Sequence, residues 1–499
     1  QKTLTPAERW DACRDWDHRN PVAWIESGRE AGSFRLKSWG SSPLFDQYVS
    51  LKGERFLNLF PPMLHRMIDE YMLNKKEDIK NLTVYQRETS FANTKEFVIT
   101  VVGPRRAGKS YYLYHIIKSN KLNDDEYLFL NFEDESLRSM PRREVLSCVA
   151  KHTEIYGKQP EYVFLDEVQA FEHWSNWVYE LYEKKRYNIF ITGSSSKLVS
   201  REVATQLRGR TLNILILPFS FSEVTKFKGF EAKEYYSTYE KSAMLGQLSQ
   251  YLRSGGFPQL VLGQMDPNLF FRDYLDSVVY RDIVEIFKIR EAWLIRTLLR
   301  FVSASFSAPF SVNKVYNTLK SQGISVSKKT VYKYTNYAEQ AFFCFTLKRF
   351  DFSPRRSELS IPKVYLNDTG LINHLIPDAH KQTGRLMENV VFLKLKQKQF
   401  SGKVGEIYYY KDQQGHEVDF VTDSGKCLIQ VTYANGFDEV DRREWRNLIN
   451  ANQIFKSKRL YIITWDYEDE RTLNWRGDKE TISFIPLWKW LLHSTRYTD

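Results

Sequence analysis

A short loop near residue 105 carries the residues whose chemical meaning is clearest. Gly103-Pro-Arg-Arg-Ala-Gly-Lys-Ser110 fits the G-x-x-x-x-G-K-S/T pattern of phosphate-binding loops. An apolar run, Phe97–Val102, precedes this loop, and a helical pattern, Tyr111–Lys118, follows it. Backbone N–H groups of such a loop, with the amino end of the helix, bind nucleotide phosphates. The sequence therefore predicts an ATP site formed by Gly103, Pro104, Arg105, Arg106, Ala107, Gly108, Lys109, Ser110 and Tyr111.

Two loop side chains and two later carboxylates define the predicted chemistry. Lys109 is expected to reach the β- and γ-phosphates, and the Ser110 hydroxyl is expected to bind Mg²⁺. The apolar run Tyr162–Leu165 ends in Asp166 and Glu167. After a phosphate loop, Asp166 is predicted to support the metal, and Glu167 to orient and deprotonate the attacking water. The alternatives are a chance loop match and an ordinary buried strand followed by surface acids.

Two further segments are candidates to complete the site. The run Asn188–Thr192 ends in a glycine and three serines, where Ser194 or Ser195 is a candidate sensor of the γ-phosphate. Arg208 and Arg210 flank a glycine, and an arginine in such a loop can neutralise transition-state charge in a neighbouring subunit. A serine-rich turn and solvated surface arginines are the competing interpretations.

The elements around these residues predict an α/β fold. Four apolar runs between residues 97 and 192 alternate with helical patterns, as is typical of a parallel sheet. Residues 229–300 are predicted to be helical, with a break at Ser254–Pro258. Two helical segments separated by Gly323 follow, and then an aromatic run typical of a strand. The remainder begins with a helix, Gly384–Gln399, and continues with β-rich segments.

Composition excludes several classes of protein. The 499 residues are 42% hydrophobic, with only 23 Gly and 16 Pro, which excludes a fibrous or disordered chain and suits three or four domains. No run approaches the about 18 apolar residues of a membrane span. Four widely spaced cysteines exclude a disulfide framework and a cysteine-based zinc finger. We therefore expect a cytoplasmic protein with no membrane partner.

The net charge of +11 is concentrated in one short segment. Residues 310–360 contain three acidic residues and nine basic ones, which are Lys314, Lys320, Lys328, Lys329, Lys333, Lys348, Arg349, Arg355 and Arg356. A helix beginning near Ser327 would leave Lys328, Lys329 and Lys333 exposed near its start. Lysines without nearby Asn, Gln or Arg favour phosphate contacts over base recognition, so these three are predicted to bind DNA. The alternatives are a protein contact and an ordinary charged surface.

The motifs together resemble a known family. The phosphate loop, FLDEVQ with a following Trp, ITGSSS, LRGR, LPFSFSE and SGGFP are similar to those of a prokaryotic, mainly archaeal family of P-loop ATPases in the AAA+ superfamily. The resemblance extends from about Lys95 to Thr432. It implies an ATPase core, a helical lid, a winged helix and a nuclease-like domain after an N-terminal accessory region. The expected boundaries are 1–90 for the accessory region, 91–228 for the core, 229–300 for the lid, 301–360 for the winged helix and 361–499 for the nuclease-like domain.

The C-terminal segment resembles the PD-(D/E)xK nuclease pattern, an α/β fold of restriction-endonuclease type. In that pattern carboxylates on a helix and a strand bind Mg²⁺ beside a lysine. The corresponding residues here are Glu388, Asp419 and Gln430. Thr432 occupies the lysine position and cannot supply a positive charge, although Lys411 or Lys426 could take the role. We therefore doubt that this domain cleaves DNA and expect a fold retained for DNA binding, assembly or sensing.

Three functions are compatible with these features. The first is a Mg²⁺-dependent ATPase that couples hydrolysis to DNA binding or remodelling, in a homo-oligomer that supplies the arginine in trans. The second is a nucleotide-dependent switch that acts on protein partners with negligible turnover. The third is an ATP-gated, metal-dependent DNA nuclease.

Overall fold

A small hairpin and a long helix precede the phosphate loop. The computed structural model describes residues 23–27, 34–38, 61–90, 93–193, 207 and 209–498. Strands β1 (Ala23–Ser27) and β2 (Phe34–Ser38) pair antiparallel, and helix α1 (Pro61–Asn81) follows them. Ile68, Tyr71 and Met72 of α1 are buried in the main apolar core. The last part of the predicted accessory region therefore packs on the domain that follows it.

The first large sheet has five strands, all parallel. They are β3 (Val98–Val102), β4 (Tyr127–Asn131), β5 (Tyr162–Asp166), β6 (Asn188–Gly193) and β7 (Thr211–Leu215). Their order is β4-β5-β6-β3-β7, so the strand that enters the phosphate loop lies inside the sheet. The predicted α/β fold with a parallel sheet is confirmed, and β7 is an additional strand.

Helices cover both faces of this sheet, which explains why its strands are apolar throughout. They are α2 (Lys109–Ser119), α3 (Glu135–Arg138), α4 (Arg142–Leu146), α5 (Cys148–Tyr156), α6 (Trp174–Glu183) and α7 (Phe221–Phe227). Alternate strand residues face two different cores. Ile99 and Phe164 pack with α2, whereas Val98 and Val163 join the core that continues into the rest of the chain.

A helical region follows the sheet and contains one π-helical turn. Its elements are α8 (Thr238–Ser254), α9 (Pro258–Val261), α10 (Pro267–Ser277), the π-turn (Val278–Glu285) and α11 (Ala292–Ala304). The predicted break after α8 has a steric cause at Gly256. A Cβ atom there would lie 2.0 Å from the carbonyl oxygen of Phe219, so only glycine allows this close approach.

The basic segment forms two helices and a two-stranded antiparallel sheet. Its elements are β8 (Ala308–Pro309), α12 (Val312–Ser321), α13 (Lys328–Gln340), β9 (Cys344–Leu347), α14 (Pro354–Glu358) and β10 (Lys363–Leu366). Strands β9 and β10 pair with each other. Val331 and Ala338 anchor α13 in the core, as the sequence spacing predicts.

A second large sheet forms the C-terminal part. After α15 (Thr369–Leu375) and α16 (Thr383–Phe400), its strands are β11 (Ile407–Lys411), β12 (Glu417–Thr422), β13 (Cys427–Val431), β14 (Arg459–Thr464), β15 (Asp469–Trp475) and β16 (Asp478–Pro486). The order is β11-β12-β13-β14-β16-β15, with parallel pairs only between β13, β14 and β16. The remaining helices are α17 (Arg442–Phe455), α18 (Leu487–Leu492) and α19 (Ser494–Thr498).

Helices α16 and α17 connect this sheet to its surroundings. Helix α17 packs over β12, β13, β14 and β16, while α16 contacts both β13 and strand β7 of the parallel sheet. The two sheets are therefore joined through α16 and a shared apolar core. Within the described ranges, no helix has the length and apolar character needed to cross a bilayer.

Candidate functional site

The phosphate loop joins the end of β3 to the start of α2. Gly103 has φ +148°, and a Cβ atom there would lie 1.9 Å from the carbonyl oxygen of Ile216. Gly108, directly before α2, has φ +93°. Side chains are disfavoured at both positions. The two glycines therefore allow the loop to curve close to β7 and place the loop backbone at the amino end of α2.

Lys109 points back into the loop. Its side chain is buried, and Nζ donates to the carbonyl oxygens of Gly103 and Pro104, both at 3.2 Å. The same atom lies 3.8 Å from Oε1 of Glu167. The structure thus brings the predicted phosphate-binding lysine and the predicted base to one place.

Asp166 ends β5 with an unsatisfied carboxylate oxygen. Its side chain is buried, and Oδ1 accepts a hydrogen bond from the Thr192 hydroxyl. Among the described residues Oδ2 has no hydrogen-bond partner. Burial, reinforced by the charge of Glu167, raises the pKa of Asp166 to about 6, while Thr192, Ser110 and Lys109 act in the opposite direction.

This arrangement fits a magnesium ion bound with a phosphate. A buried carboxylate oxygen without a donor is costly, and Mg²⁺ takes oxygen ligands such as carboxylates, hydroxyls and phosphates. Asp166 supplies such an oxygen, and the influence of the Ser110 hydroxyl on its pKa places a second oxygen nearby. The donor set therefore matches the predicted metal chemistry.

Glu167 is held in a conformation that is uncommon for a glutamate. Its φ is +50°, and its backbone N–H donates to the Thr192 hydroxyl at 2.9 Å. Its Oε2 accepts a hydrogen bond from Gln169. Residues in this region of backbone space cluster at functional sites. Thr192 thus binds the carboxylate of Asp166 and the backbone of Glu167, and its position at the end of a predicted strand was the available sequence signal.

A buried arginine supports the loop from behind. Arg87 donates to Glu223 Oε1 (2.8 Å) and to the carbonyl oxygens of Ala107 (3.1 Å) and Leu217 (2.7 Å). Glu223 also forms a capping box with Ser220 at the start of α7. Neither Arg87 nor Glu223 was found by sequence reasoning, because the two are separated by more than a hundred residues and belong to no local motif.

The two loop arginines face the helical region. Arg105 donates to Asp282 in the π-turn, with Nη2–Oδ1 at 3.0 Å and Nε–Oδ1 at 3.3 Å. The guanidinium of Arg106 lies 5.2 Å from the ring centre of Phe270 in α10. Asp282 lies in a segment, Val278–Ile286, that also contains Arg281 and Glu285, so the local sequence offered no signal for it.

Of the two arginines predicted to act in a neighbouring subunit, the structure describes Arg210, which lies at the far end of the parallel sheet. The carbonyl oxygen of Arg210 accepts from the N–H of Val98, at the amino end of β3, whereas the phosphate loop follows its carboxyl end. Five residues at about 3.3 Å each separate the two ends. The Arg210 side chain pairs with Glu183 (2.8 Å) and lies over the ring of Tyr182. Ser194 and Arg208 fall outside the described residues.

The predicted C-terminal ligands surround a lysine. Nζ of Lys363, in β10, lies 3.0 Å from Glu388 Oε1, 2.9 Å from Asp419 Oδ1 and 2.8 Å from Glu417 Oε1. Tyr365 also donates to Glu388 at 2.8 Å. Lys363 is almost completely buried, and the three carboxylates are the ion-pair partners of its ammonium. We call these four charged residues the lysine-centred cluster.

This cluster bears on the sequence interpretation of the C-terminal segment. We considered that Lys411 or Lys426 could take the role of the lysine missing at 432, but the lysine that lies among these carboxylates is Lys363, from an earlier strand. Lys411 instead pairs with Glu417 at the surface (2.9 Å). Gln430 is occupied as well, accepting from the backbone N–H of Asp419 at 3.1 Å and donating to Glu444.

A lysine ammonium therefore lies among the residues that the sequence predicts to bind a metal. In the part of the chain that the structure describes, no three His, Cys, Asp or Glu side chains are grouped so that they could hold a metal ion. Lys363 lies at the start of a short apolar strand. Nothing local distinguishes such a lysine from a surface residue, so sequence reasoning missed it.

The predicted DNA-binding lysines lie on one side of α13. Lys328, Lys329 and Lys333 are exposed, and so is the ring of Tyr332 between them. On the inner side of the helix, the Tyr337 ring stacks on Phe287, which lies one turn beyond Asp282 (interplanar angle 12°). The basic surface is therefore attached to the element that contacts the phosphate loop.

Comparison with known domain families divides the chain into three parts. An AAA domain matches residues 95–225, and domains of unknown function match residues 245–382 (DUF8612) and 383–490 (DUF4143). The AAA match coincides with β3 to α7 and, together with the parallel sheet, confirms the predicted P-loop core.

Two relatives align with most of this chain. The uncharacterized protein MJ1544 of Methanocaldococcus jannaschii is 34% identical over 433 residues, covering 85% of this chain and 95% of that protein. An uncharacterized protein of Haemophilus influenzae is 26% identical over 413 residues, covering 82% and 97%.

Two solved structures share weak similarity. AMPPCP-bound DnaA from Aquifex aeolicus is 12% identical with a TM-score of 0.20, covering 53% of this chain and 85% of that chain. Drosophila ORC bound to AT-rich DNA and Cdc6 is 9% identical with a TM-score of 0.17, covering 66% and 95%. At these TM-scores neither similarity supports a structural argument. On the sequence comparisons, the chain belongs to the same family as the M. jannaschii protein MJ1544 and carries an AAA domain of the P-loop class.

Proposed function

We propose that the protein is a Mg²⁺-dependent ATPase. The observation that carries this proposal is the position of Asp166 and Glu167 beside the phosphate loop, where one buried oxygen of Asp166 lacks a hydrogen-bond partner. Ser110 and Asp166 would hold Mg²⁺, which when bound neutralises phosphate charge. A nucleotide-binding protein without hydrolysis would have no need of a glutamate oriented in this way.

Lys109 provides the positive charge inside the loop. Its two hydrogen bonds to carbonyl oxygens are long, at 3.2 Å, and neutral acceptors bind an ammonium less strongly than phosphate oxygens do. Exchange of these acceptors for phosphate is therefore favourable. The buried position of Lys109 limits competition from water and strengthens the interaction.

Glu167 acts as the base in this proposal. Thr192 fixes its backbone and Gln169 binds one carboxylate oxygen, while the other oxygen lies 3.8 Å from the lysine. A carboxylate held in one orientation accepts the proton of an attacking water without first reorganising. Its backbone has a φ of +50°, an uncommon conformation for a glutamate that is typical of functional sites.

The test is steady-state ATP hydrolysis by the full chain with a Glu167→Gln variant. Removal of a general base typically lowers turnover by about 100-fold or more, while nucleotide affinity should change little because the shape is preserved. Glu234→Gln is the matched control, since Glu234 is exposed and lies outside the site. Equal turnover in the wild type and Glu167→Gln would exclude the assigned base.

We further propose that α11 to β10 form a winged helix that binds DNA through α13. The order helix, short strand, two helices and two antiparallel strands supports this fold. The exposed Lys328, Lys329 and Lys333 form a compact positive surface on the second of these two helices, the position that docks on DNA in related motifs.

This DNA proposal is tested by the salt dependence of duplex binding. Each phosphate contact contributes about 0.9 to the slope of log affinity against log salt concentration. Replacing the three lysines by alanine should therefore reduce the slope by up to about 2.7. The control replaces Lys121, Lys184 and Lys479, which are also exposed and give the same change in net charge. Equal slopes for both triple variants would locate DNA binding elsewhere or nowhere.

A further inference from the structure

We infer that Arg105 is a catalytic arginine supplied by the same chain, that it contacts the terminal phosphate of ATP, and that Asp282 holds it in position. This inference rests on the proposed ATPase function and goes beyond it. It replaces the arginine expected from a neighbouring subunit by one inside the phosphate loop.

Arg105 lies among the charged groups of the nucleotide site. It follows Gly103 and Pro104, whose carbonyl oxygens bind Lys109. Burial lowers the pKa of its guanidinium, but the negative charges of Asp282, Glu133 and Glu167 outweigh burial and raise the pKa. Its side chain is 16% exposed, so the guanidinium is accessible at the loop but shielded from bulk water. A positive charge at this point faces both the loop and the proposed base.

Asp282 holds only one edge of the guanidinium. Its carboxylate accepts from Nη2 at 3.0 Å and from Nε at 3.3 Å. The other nitrogen, Nη1, lies 3.8 Å from Glu133 Oε1, which is too long for a hydrogen bond. Arginine has five N–H donors in a rigid plane, so gripping one edge orients the donors of the other. In this inference the donors of Nη1 bind the terminal phosphate.

Asp282 lies in the π-turn, which places its carboxylate beside Arg105 of the phosphate loop. Val278, Val279 and Ile283 are buried around it, and Asp282 itself is 1% exposed. A buried carboxylate is costly unless it is paired with a positive charge, and Arg105 is that partner. π-Helical turns occur frequently at functional sites because they redirect one side chain within a helix. Arg105 and Asp282 therefore form a largely buried ion pair and not an incidental surface contact.

The competing arginine is placed differently. Arg210 is bound by Glu183 and Tyr182 near the amino end of β3, at the opposite end of the sheet from its own phosphate loop. Only an assembled neighbour could use it. Arg105 requires no assembly, so the two hypotheses predict different behaviour when the protein is diluted.

The first test compares the affinities of ADP and ATPγS in the presence of Mg²⁺, measured by calorimetry with the full chain. The wild type should bind ATPγS more tightly than ADP. Arg105→Ala should lower ATPγS affinity by about 10-fold or more, with a smaller effect on ADP, because a charged hydrogen bond to the last phosphate is lost. Arg210→Ala should leave both affinities unchanged.

The second test measures turnover. Arg105→Ala should lower kcat by at least about 100-fold, toward the range for removal of arginine fingers. Asp282→Asn should reduce both kcat and the preference for ATPγS, because it retains the shape but weakens the grip on the guanidinium. Turnover per chain should not depend on protein concentration. Circular dichroism of each variant checks that it is folded.

Several outcomes would overturn the inference. If Arg105→Ala kept the ATPγS preference while Arg210→Ala lost it, and turnover per chain rose with protein concentration, the arginine would come from a neighbour. If Asp282→Asn raised turnover, Asp282 would restrain Arg105 instead of positioning it. If the wild type hydrolysed no ATP, the proposed function itself would fail and this inference with it. Active wild-type protein with unaffected Arg105 variants would remove the inference alone.

Discussion

The phosphate loop and the lysine-centred cluster contain the same kinds of residue in opposite states. Each has a buried lysine beside carboxylates. Lys109 binds two neutral carbonyl oxygens and lies 3.8 Å from Glu167. Lys363 lies within 3.0 Å of three carboxylates. The first lysine can exchange its partners for a ligand, whereas the second already has its counter-ions.

The carboxylates of the two regions differ in the same way as the lysines, one having a free oxygen and the other having both oxygens bonded. Asp166 retains a buried oxygen without a hydrogen-bond partner. Asp419 has both oxygens bonded, one to Lys363 and one to the N–H of Val431. Unsatisfied buried polar atoms favour binding of an ion, and satisfied ones favour rigidity. The comparison therefore separates a site for a ligand from a site for stability, although their compositions are similar.

The largest expected effect is on nucleotide turnover. Lys109→Ala removes the positive charge from the loop, and kcat/KM for ATP should fall by about 100- to 1000-fold, as for loss of a preorganised donor. Thermal unfolding should change little, since only weak bonds to carbonyl oxygens are lost. Steady-state kinetics and a melting curve of the same variant measure both quantities. A large loss of stability would show that Lys109, like Lys363, contributes to folding stability and not only to ligand binding.

The second expected effect is on stability. Lys363→Met leaves three buried carboxylates without their counter-ion, and loss of one partner of a buried pair costs about 3–5 kcal/mol. Denaturant unfolding of the full chain should show this loss. Lys411→Met, which removes the exposed partner of Glu417, is the control and should cost under about 1 kcal/mol. Equal effects of the two variants would contradict the assignment of Lys363 as the central ion.

The third expected effect is on the pH dependence of the metal. Asp166 must be ionised to bind Mg²⁺, and its pKa is raised to about 6. Lowering the pH from 7.5 to 5 moves through this pKa and protonates the carboxylate, so apparent Mg²⁺ affinity should fall by about 10-fold. Titration of Mg²⁺ into the ATPγS complex measures this change. Asp166→Asn should bind Mg²⁺ weakly at both pH values, and a persisting pH dependence in that variant would assign the proton to another group.

The smallest expected effect concerns DNA cleavage. The full chain with Mn²⁺ should cut plasmid DNA no faster than the same sample with a chelator, because Lys363 occupies the centre of the carboxylates. Asp419→Asn should leave this background unchanged. Cleavage that requires Mn²⁺ and disappears in Asp419→Asn would show that the lysine-centred cluster does bind metal and would erase the contrast between the two regions.

Local sequence patterns were sufficient for the parallel sheet and the phosphate loop. Apolar runs that end in glycine or in an acidic residue mark β3 and β5. The predicted phosphate-binding and acidic residues follow directly after these strand ends. The exposed side of α13 also follows from spacing, since helical periodicity decides which lysines face water.

The supporting residues were not accessible in the same way. Arg87, Asp282 and Lys363 each pair with residues that are distant in sequence, and each looks like an ordinary charged residue in its own segment. What identifies them is burial, which depends on how segments pack. Sequence reasoning named Lys411 and Lys426 because both are close in the chain to Asp419 and Gln430, whereas Lys363 on β10 precedes Asp419 by 56 residues.

The helix that runs from Pro267 through the π-turn has a mechanical consequence. It touches the loop through Phe270 and Asp282, and its last turn carries Phe287, which stacks on Tyr337 of α13. Phe287 follows Asp282 by five residues, or about 7 Å of helix, without any loop to absorb motion. A small displacement at the loop would therefore reach the basic helix as a change in how two aromatic rings overlap. The helix therefore couples the position of the phosphate loop mechanically to that of the basic surface on α13.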